Sequence, residues 1–415
     1  MTITHEAAVA RDGALQMPFP RQGVLKVSPL YAALREKGPI AKVTTPYGDP
    51  AWVIFGYDEA KLAFADSERF GYYIHHDPKN APRLSHAALH SFPMGGFDFE
   101  AESVRMRKLM APSFTPRRLK LLTEWMQKLT DECLDEMEAE HDANPGQPVN
   151  FHEKVGFGLP VKVIAALLGF PQKDSDYVTA LSHRMGGVYT GKDAFAAAAE
   201  LTEYMTRFIA EKRRTGDLGE DLISDMIRAE DKDPNFFTVR SLASAAAGFV
   251  FPGHETTVVR MDFGVLYLLA DTRWRDWLMA DPENRVDAVV EEVTRLTSAT
   301  NHGLLRYALQ DFELAGASIK RGDLVIISES AANRDPAVYE RPEAFDPTRD
   351  NTANLAFGHG SHKCLGFSLA KLELKTVFLS LFRRFPKVRL AVDPDELEID
   401  NSLIGGGVKD VPLIW

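Results

Sequence analysis

The chain has few cysteines and no long apolar run. Its 415 residues include two cysteines, Cys133 and Cys364, which belong to no spaced cysteine pattern. This excludes a disulfide framework and leaves no cysteine set for an iron–sulfur cluster. The apolar stretches fall short of the roughly 18 residues that a membrane-spanning helix needs, and the N-terminus shows no secretory signal. We therefore expect a cytoplasmic protein with no membrane anchor.

The chain has fewer basic than acidic residues. Lys and Arg number 48 against 59 Asp and Glu, which gives a formal net charge of −11. This acidic balance, without long basic blocks, argues against nucleic acid as a partner. The sequence also lacks a flavin or nicotinamide fingerprint, so any electrons that the protein uses must come from another protein.

A chain of this length would ordinarily suggest two or three domains. No linker rich in Ser, Gly or Pro and no internal repeat divides it, however. We predict an irregular N-terminal segment over residues 1–27 and a single large domain over residues 28–415.

The apolar periodicity predicts an α+β fold that is predominantly α-helical and has a minor β-sheet on one side. Residues 38–56 alternate around a turn and indicate a β-hairpin. Helical spacing dominates from about 103 to 285, with breaks near 145–150 and 186–192, and residues 286–298 are predicted to form another helix. Further along the chain we expect short strands over 303–328, little regular structure over 333–356 and a last helix near 365–384.

The segment Phe357–Gly366 holds a lone cysteine, Cys364, in a glycine-rich loop before an apolar helix. Glycines at 358, 360 and 366 would let a flat macrocycle lie against the backbone, and glycine also permits positive φ. Backbone N–H groups and the positive end of the next helix would favour a thiolate over a thiol. A thiolate held in this way can be the fifth ligand of a haem iron, where it favours O–O cleavage.

Two other interpretations of this loop stay open on the residues alone. A free cysteine is often a buried, inert space-filler. His359, His362 and Cys364 together could instead bind zinc.

Two further segments carry polar groups at unusual positions. Glu292 and Arg295 share one helix face and would by themselves be an ordinary surface pair. Gly253–Thr257 places a histidine, a carboxylate and two hydroxyls inside a long apolar helix, where polar groups are costly unless they are hydrogen-bonded. A kinked helix with a satisfied threonine is the alternative interpretation.

Together these motifs resemble the cytochrome P-450 family, specifically its soluble bacterial type, over about residues 28–415. The resemblance implies that family's fold, a haem b cofactor (iron protoporphyrin IX) and Cys364 as the metal ligand. It also implies that Phe357 shields the thiolate and that His362 bonds a haem propionate. Gly358 and Gly366 belong to the same cofactor-binding loop.

The resemblance assigns an oxygen-activation role to the polar segment of the long helix. Glu255 and Thr256 match the acid and the alcohol that relay protons during catalysis in that family. Pro252 stands where the family usually has Ala or Gly. Proline removes the hydrogen bond to the carbonyl four residues back, so it either fixes the opening of this helix or narrows the space above the haem.

Charged residues elsewhere match supporting positions of the family. Glu292 and Arg295 match a buried structural pair, for which Arg341 or Arg349 would be the third partner. Arg107 and Arg306 match two arginines that bind the haem propionates, although each alone could be a solvated surface charge. In the motif around Arg107 the usual histidine is replaced by Ser103.

The implied activity is that of a haem-thiolate monooxygenase, which inserts one oxygen atom of O2 into a small organic substrate, such as a natural-product intermediate, by hydroxylation or epoxidation. The implied electron source is a ferredoxin or flavodoxin with its NAD(P)H-dependent reductase, docking near Arg105, Lys108, Lys363 and Lys371. Oxidative aryl, C–C or C–N coupling and a non-enzymatic haem sensor are alternatives. A peroxide-using enzyme is disfavoured because the acid–alcohol pair is intact.

The substrate pocket is expected by family position to include the long loop 70–98, since such loops are usually functional. Two polar residues beside three aromatic ones favour an amphipathic ligand: Asn301 and His302 beside Phe70, Tyr72 and Tyr73. The other single residues expected in the pocket are Phe249, Val250, Leu304, Leu403 and Ile404.

Overall fold

The computed structural model describes residues 15–72, 80–90, 99–237, 241–298, 300–350 and 353–415. Helices make up most of the described chain, as the periodicity predicted. They are α1 Leu30–Arg35, α2 Tyr57–Ala65, α3 Phe99–Met110, α4 Pro116–Ala143, α5 Gly158–Leu168, α6 Ser175–Met185, α7 Gly191–Thr215, α8 Leu222–Lys232, α9 Leu242–Ala270, α10 Thr272–Ala280, α11 Pro282–Leu296, α12 Glu329–Ala332 and α13 Phe367–Arg384.

The strands form small sheets. They are β1 Leu15–Gln16, β2 Ile40–Thr44, β3 Pro50–Ile54, β4 Phe70–Gly71, β5 Val149–Asn150, β6 Leu304–Ala308, β7 Phe312–Leu314, β8 Ala317–Ile319, β9 Leu324–Ile327, β10 Arg389–Leu390 and β11 Pro412–Ile414. The largest sheet has the order β1-β2-β3-β9-β6-β4. The predicted hairpin is confirmed, because β2 and β3 pair antiparallel with Ile40 opposite Ile54.

The N-terminal segment differs from the irregular structure expected for it. Within its described part, β1 pairs parallel with β2, and the N–H of Met17 donates to the carbonyl of Thr44 at 3.0 Å. Met17 and Phe19 are buried against the sheet. Apolar burial, which short segments do not reveal by periodicity, holds this part of the chain in place.

The predicted helix breaks near 145–150 and 186–192 are confirmed, since α4 ends at Ala143 and α6 at Met185. A further break follows α7, where Gly216 adopts a left-handed φ of +70° and caps the helix. Asp221 then caps α8 by accepting from the N–H of Ser224 at 2.8 Å.

Helix α9 is the axis of the helical region. It is 29 residues long and buried over most of its length, because its sequence is apolar on every face. Helices α5, α6, α7 and α13 pack against it. At Gly264 the approach of α13 is so close that a Cβ atom would lie 2.2 Å from the Phe378 ring. None of the helices within the described ranges combines the length and apolar composition needed to cross a bilayer.

A buried charge network links α11 to the loop that follows α12. Glu292 and Arg295 are fully buried, and Nε of Arg295 donates to Glu292 at 2.7 Å. Of the two arginines expected as the third partner, Arg349 makes the contact, with Nε 3.0 Å from Glu292. Arg295 also donates to the carbonyls of Asn333 and Pro342, each at 2.8 Å. The network therefore fixes the path of the irregular chain that leads to Cys364.

We predict that Glu292→Gln destabilises the fold by about 3–5 kcal/mol, because it leaves two buried guanidinium groups without a carboxylate. The matched control is Arg341→Gln. Arg341 is 67% exposed and pairs with Asp346 at 3.0 Å, so its loss should cost no more than about 1 kcal/mol. The measurement is the urea midpoint of each variant. Equal midpoints for the two variants would contradict a stabilising role for the network.

Candidate active site

Cys364 lies in the loop that leads into α13. Its N–H donates to the carbonyl of Phe357 at 2.8 Å, which closes the loop on itself. The N–H of Gly366 hydrogen-bonds the sulfur, and α13 begins at the next residue, Phe367. Both the donated bond and the positive end of the helix favour a thiolate at this position.

The two cysteines differ in their surroundings. Cys133 is fully buried in the core, whereas the exposed surface of Cys364 lines a cavity of about 450 Å³. Burial raises the pKa of the Cys364 thiol, and Arg260, the Gly366 N–H, Arg107 and Lys363 act against that rise. Cys133 is thus the space-filling cysteine, and Cys364 is available for chemistry.

The cavity is walled by α3, α5, α9, the cysteine loop and α13, and most of its lining is apolar. Its described lining includes Tyr72, Ser103, Met106, Arg107, Met110, Phe114, Ile164, Leu168, Phe249, Pro252, Thr256, Thr257, Arg260, Phe357, His362, Cys364, Gly366 and Glu373. Such a shape, with few polar groups, suits a large apolar ligand.

Polar groups gather on one side of the cavity. Arg107 lines it and donates to the carbonyl of Lys363, beside the cysteine. His362 packs edge-on against Tyr72, with ring centroids 4.9 Å apart. Arg306 is buried behind Tyr72 and donates to its hydroxyl at 2.8 Å. Three positions expected to bind an anionic cofactor are therefore close together, with Arg306 reaching the cavity through Tyr72.

The zinc interpretation finds no geometric support at this loop. Within the described parts of the chain, no three His, Cys, Asp or Glu side chains converge as a metal site. The ring of His362 contacts Tyr72.

Helix α9 presents one face to the cavity. Phe249, Pro252, Thr256 and Arg260 recur at three- and four-residue spacing along that face. The hydroxyl of Thr256 donates to the carbonyl of Pro252 at 2.9 Å. Sequence reasoning missed Arg260, although an arginine one turn after Thr256 in an apolar helix was a signal that could have identified it.

Glu255, the neighbour of Thr256, faces away from this wall. It is buried and accepts a hydrogen bond from Nδ1 of His183 at 3.0 Å. Burial opposes ionisation of Glu255, but the His183 hydrogen bond and the nearby histidines outweigh it and lower the pKa of the carboxyl. The predicted acid–alcohol pair is thus divided between two sides of one helix.

The residues predicted for the substrate pocket are scattered. Phe249 lines the cavity, and Tyr72 does so on the opposite side. Val250 is turned into the core by the helical period, Asn301 accepts from Arg21 at 2.8 Å, and His302 is buried. Leu304 lies in β6, and Leu403 and Ile404 lie near Gly187 and Phe251.

The described lining of the cavity beside Cys364 does not include those six positions. They stay predictions for the substrate pocket. Tyr73 and most of the loop 70–98 lie outside the described residues.

Comparisons with known proteins identify the family of the chain. The family model described as Cytochrome P-450 matches residues 285–408. The chain is 34% identical to the cytochrome P-450 BJ-1 homolog of Sinorhizobium fredii, over 96% of this chain and 98% of that protein.

Two solved structures are similar over nearly the whole chain. One is the mycinamicin VIII methyl hydroxylase MycCI from Micromonospora griseorubida, with a TM-score of 0.84 and 27% identity, covering 96% of this chain and 100% of that one. The other is a cytochrome P-450 with biaryl coupling reactivity, with a TM-score of 0.81 and 32% identity, covering 96% of this chain and 99% of that one. The chain therefore belongs to the cytochrome P-450 family of haem-iron, oxygen-incorporating oxidoreductases.

Proposed function

We propose that this protein is a haem b-thiolate monooxygenase that inserts one oxygen atom of O2 into a small organic substrate, a natural-product intermediate, with residues 28–415 as its catalytic domain. The observation that carries the proposal is that Cys364 and Thr256 line one cavity, from the loop and from the central helix. A bound haem would supply oxygen activation at the iron, with Cys364 as its protein ligand.

The residues of the cavity fit a haem. A Cβ added to Gly366 would meet no described atom nearer than 3.8 Å, at Phe114, so this glycine leaves space that protein atoms do not fill. Gly358 has a φ of +71°, which favours glycine and lets the loop turn under the cavity. Phe357 would cover the sulfur, and Arg107, His362 and, through Tyr72, Arg306 would face the propionates.

Gly360 has a different role from the one expected. Its Cβ would lie 2.8 Å from Cα of Ala65 at the end of α2. The residue is therefore glycine because α2 packs against it and because its φ is +76°, and not because it borders the cofactor space.

Proton supply is the task that this chain performs with its own side chains. His183 is 45% exposed and contacts Glu255, so it can take a proton from solvent and pass it to the buried carboxylate. Thr256 holds its hydroxyl at the cavity wall by donating to Pro252. We propose that Glu255 relays protons taken up by His183, and that Thr256, on the cavity side of the same helix, positions the proton at the site of oxygen chemistry.

Electrons are proposed to come from a ferredoxin or flavodoxin and its NAD(P)H-dependent reductase. Lys108 and Lys363 are exposed near the cysteine loop, as such a docking face requires. Lys371, by contrast, is paired with Glu291. Lys108 and Lys363 are therefore the first candidates for contact with the partner.

Oxidative coupling is the second candidate function, and Pro252 favours it. Its ring lies in the cavity wall at the position where the family usually has Ala or Gly. A proline ring in this wall occupies space above a bound haem that Ala or Gly would leave open. A relative with biaryl coupling reactivity supports keeping this candidate.

We predict that products formed under ¹⁸O2 with a redox partner gain one heavy oxygen atom. The measurement is mass spectrometry of substrates that shift the haem absorption on binding. Loss of two hydrogens without an added oxygen would contradict the monooxygenase proposal and identify coupling instead.

We predict that Gly366→Ala lowers haem affinity while the apoprotein keeps its stability, because the added methyl group enters cofactor space and not protein. The control is Gly360→Ala, which collides with Ala65 and should destabilise the apoprotein itself. Haem transfer to apomyoglobin and urea unfolding of each apoprotein separate the two effects. Unchanged haem retention in Gly366→Ala would contradict the placement of the cofactor.

We predict that Thr256→Val uncouples the reaction, lowering product formed per NAD(P)H consumed by about 10²-fold and releasing peroxide, because a positioned proton donor is lost. Thr256→Ser keeps the hydroxyl and should restore most of the coupling. Peroxide and product are measured in the same reaction. If Val and Ser variants couple equally well, the hydroxyl has no role in proton transfer.

A further inference from the structure

Arg260 places a positive charge beside the cysteine loop from the opposite wall of the cavity. It follows Thr256 by one turn of α9 and is 3% exposed. One of its terminal nitrogens donates to the carbonyl of Ala356 at 2.6 Å, next to Phe357. The guanidinium carbon lies 4.4 Å from the centre of the Phe357 ring. The side chain thus spans from the central helix to the residue that carries the loop's shielding ring.

The charge of Arg260 lacks a carboxylate partner. Among the described residues, no Asp or Glu forms an ion pair with its guanidinium; Glu329 acts on its charge only through space, after Cys364, and the buried Nε of Arg260 makes no hydrogen bond. Burying an arginine in this way is costly unless an anion compensates it. The sulfur of Cys364 lines the same cavity. A thiolate there would supply the missing negative charge.

Lys371 also lies near the Phe357 ring, but it differs from Arg260 in its charge pairing and its contact with solvent. Its ammonium lies 5.6 Å from the centre of the same Phe357 ring, but it is paired with Glu291 on the solvent side. Its charge is therefore compensated and screened by water. Arg260 is buried and uncompensated, so its field acts on the loop at much lower effective dielectric.

We propose that Arg260 is a positioning residue that sets the electron density at the Cys364 thiolate. Its fixed charge stabilises the thiolate and favours the haem state that holds one more electron, which raises the reduction potential. Its bond to Ala356 and its contact with Phe357 also hold the loop in place under that charge. This inference rests on the proposed haem-thiolate function and assigns a residue that controls it.

The test is a reductive titration of the substrate-free holoenzyme in wild type, Arg260→Gln, Arg260→Lys and Lys371→Gln. We expect Arg260→Gln to lower the midpoint potential by at least about 59 mV, a tenfold change in the one-electron equilibrium. Arg260→Lys, which keeps the charge, should recover most of that loss. Lys371→Gln should shift the potential far less, because it removes a compensated charge.

The outcomes separate the two proposals. A thiolate-type spectrum of the reduced CO complex in wild type, with equal potentials for wild type and Arg260→Gln, would overturn the role of Arg260 and leave the proposed function intact. Absence of that spectrum in wild type would overturn both. If Arg260→Gln does not bind haem, the midpoint potential of Arg260→Met is measured instead. A value equal to that of wild type would overturn the role of Arg260.

Discussion

The proposed thiolate imposes one physical constraint on the whole structure, which is that a sulfur anion must persist in a cavity lined mostly by carbon. An isolated charge in such surroundings is unfavourable, and burial accordingly raises the pKa of the Cys364 thiol. The guanidinium of Arg260, the N–H of Gly366, the nearby charges of Arg107 and Lys363 and the start of α13 oppose that effect. The cysteine loop must therefore supply groups that stabilise negative charge on the sulfur, as well as room for the cofactor.

The scaffold around the loop is built to hold it against α9. The network of Glu292, Arg295 and Arg349 fixes the irregular chain that approaches Cys364. At the other end of the loop, Gly264 lets α13 approach α9 closely at Phe378. The two walls of the cavity are thus positioned by separate means, a charge network on one side and close helix packing on the other.

Much of this arrangement could be predicted from the sequence. The helices, the hairpin and the cysteine loop carry strong local signals, because apolar period and glycine spacing are fixed by backbone geometry. The choice of Arg349 over Arg341, the turn of Glu255 toward His183 and the burial of Met17 and Phe19 could not. Each depends on contacts between distant segments, which no local pattern records. Arg260 lies between these cases, since helical spacing places it on the cavity face but only the fold brings it to Phe357.

Pro252, which departs from the family pattern, lies inside α9 and lines the cavity. The helix continues through it, and the Thr256 hydroxyl donates to the Pro252 carbonyl at 2.9 Å. The proline ring then becomes part of the cavity wall. The cavity wall at Pro252 and the hydroxyl proposed for proton transfer therefore belong to the same turn of helix.

The most direct measurement is the absorption spectrum of the dithionite-reduced holoprotein saturated with CO. We expect a Soret band at about 450 nm, which requires a thiolate on the iron. A band at about 420 nm in folded protein would mean that the sulfur is protonated or not bound to the iron, and it would contradict the role given to Cys364.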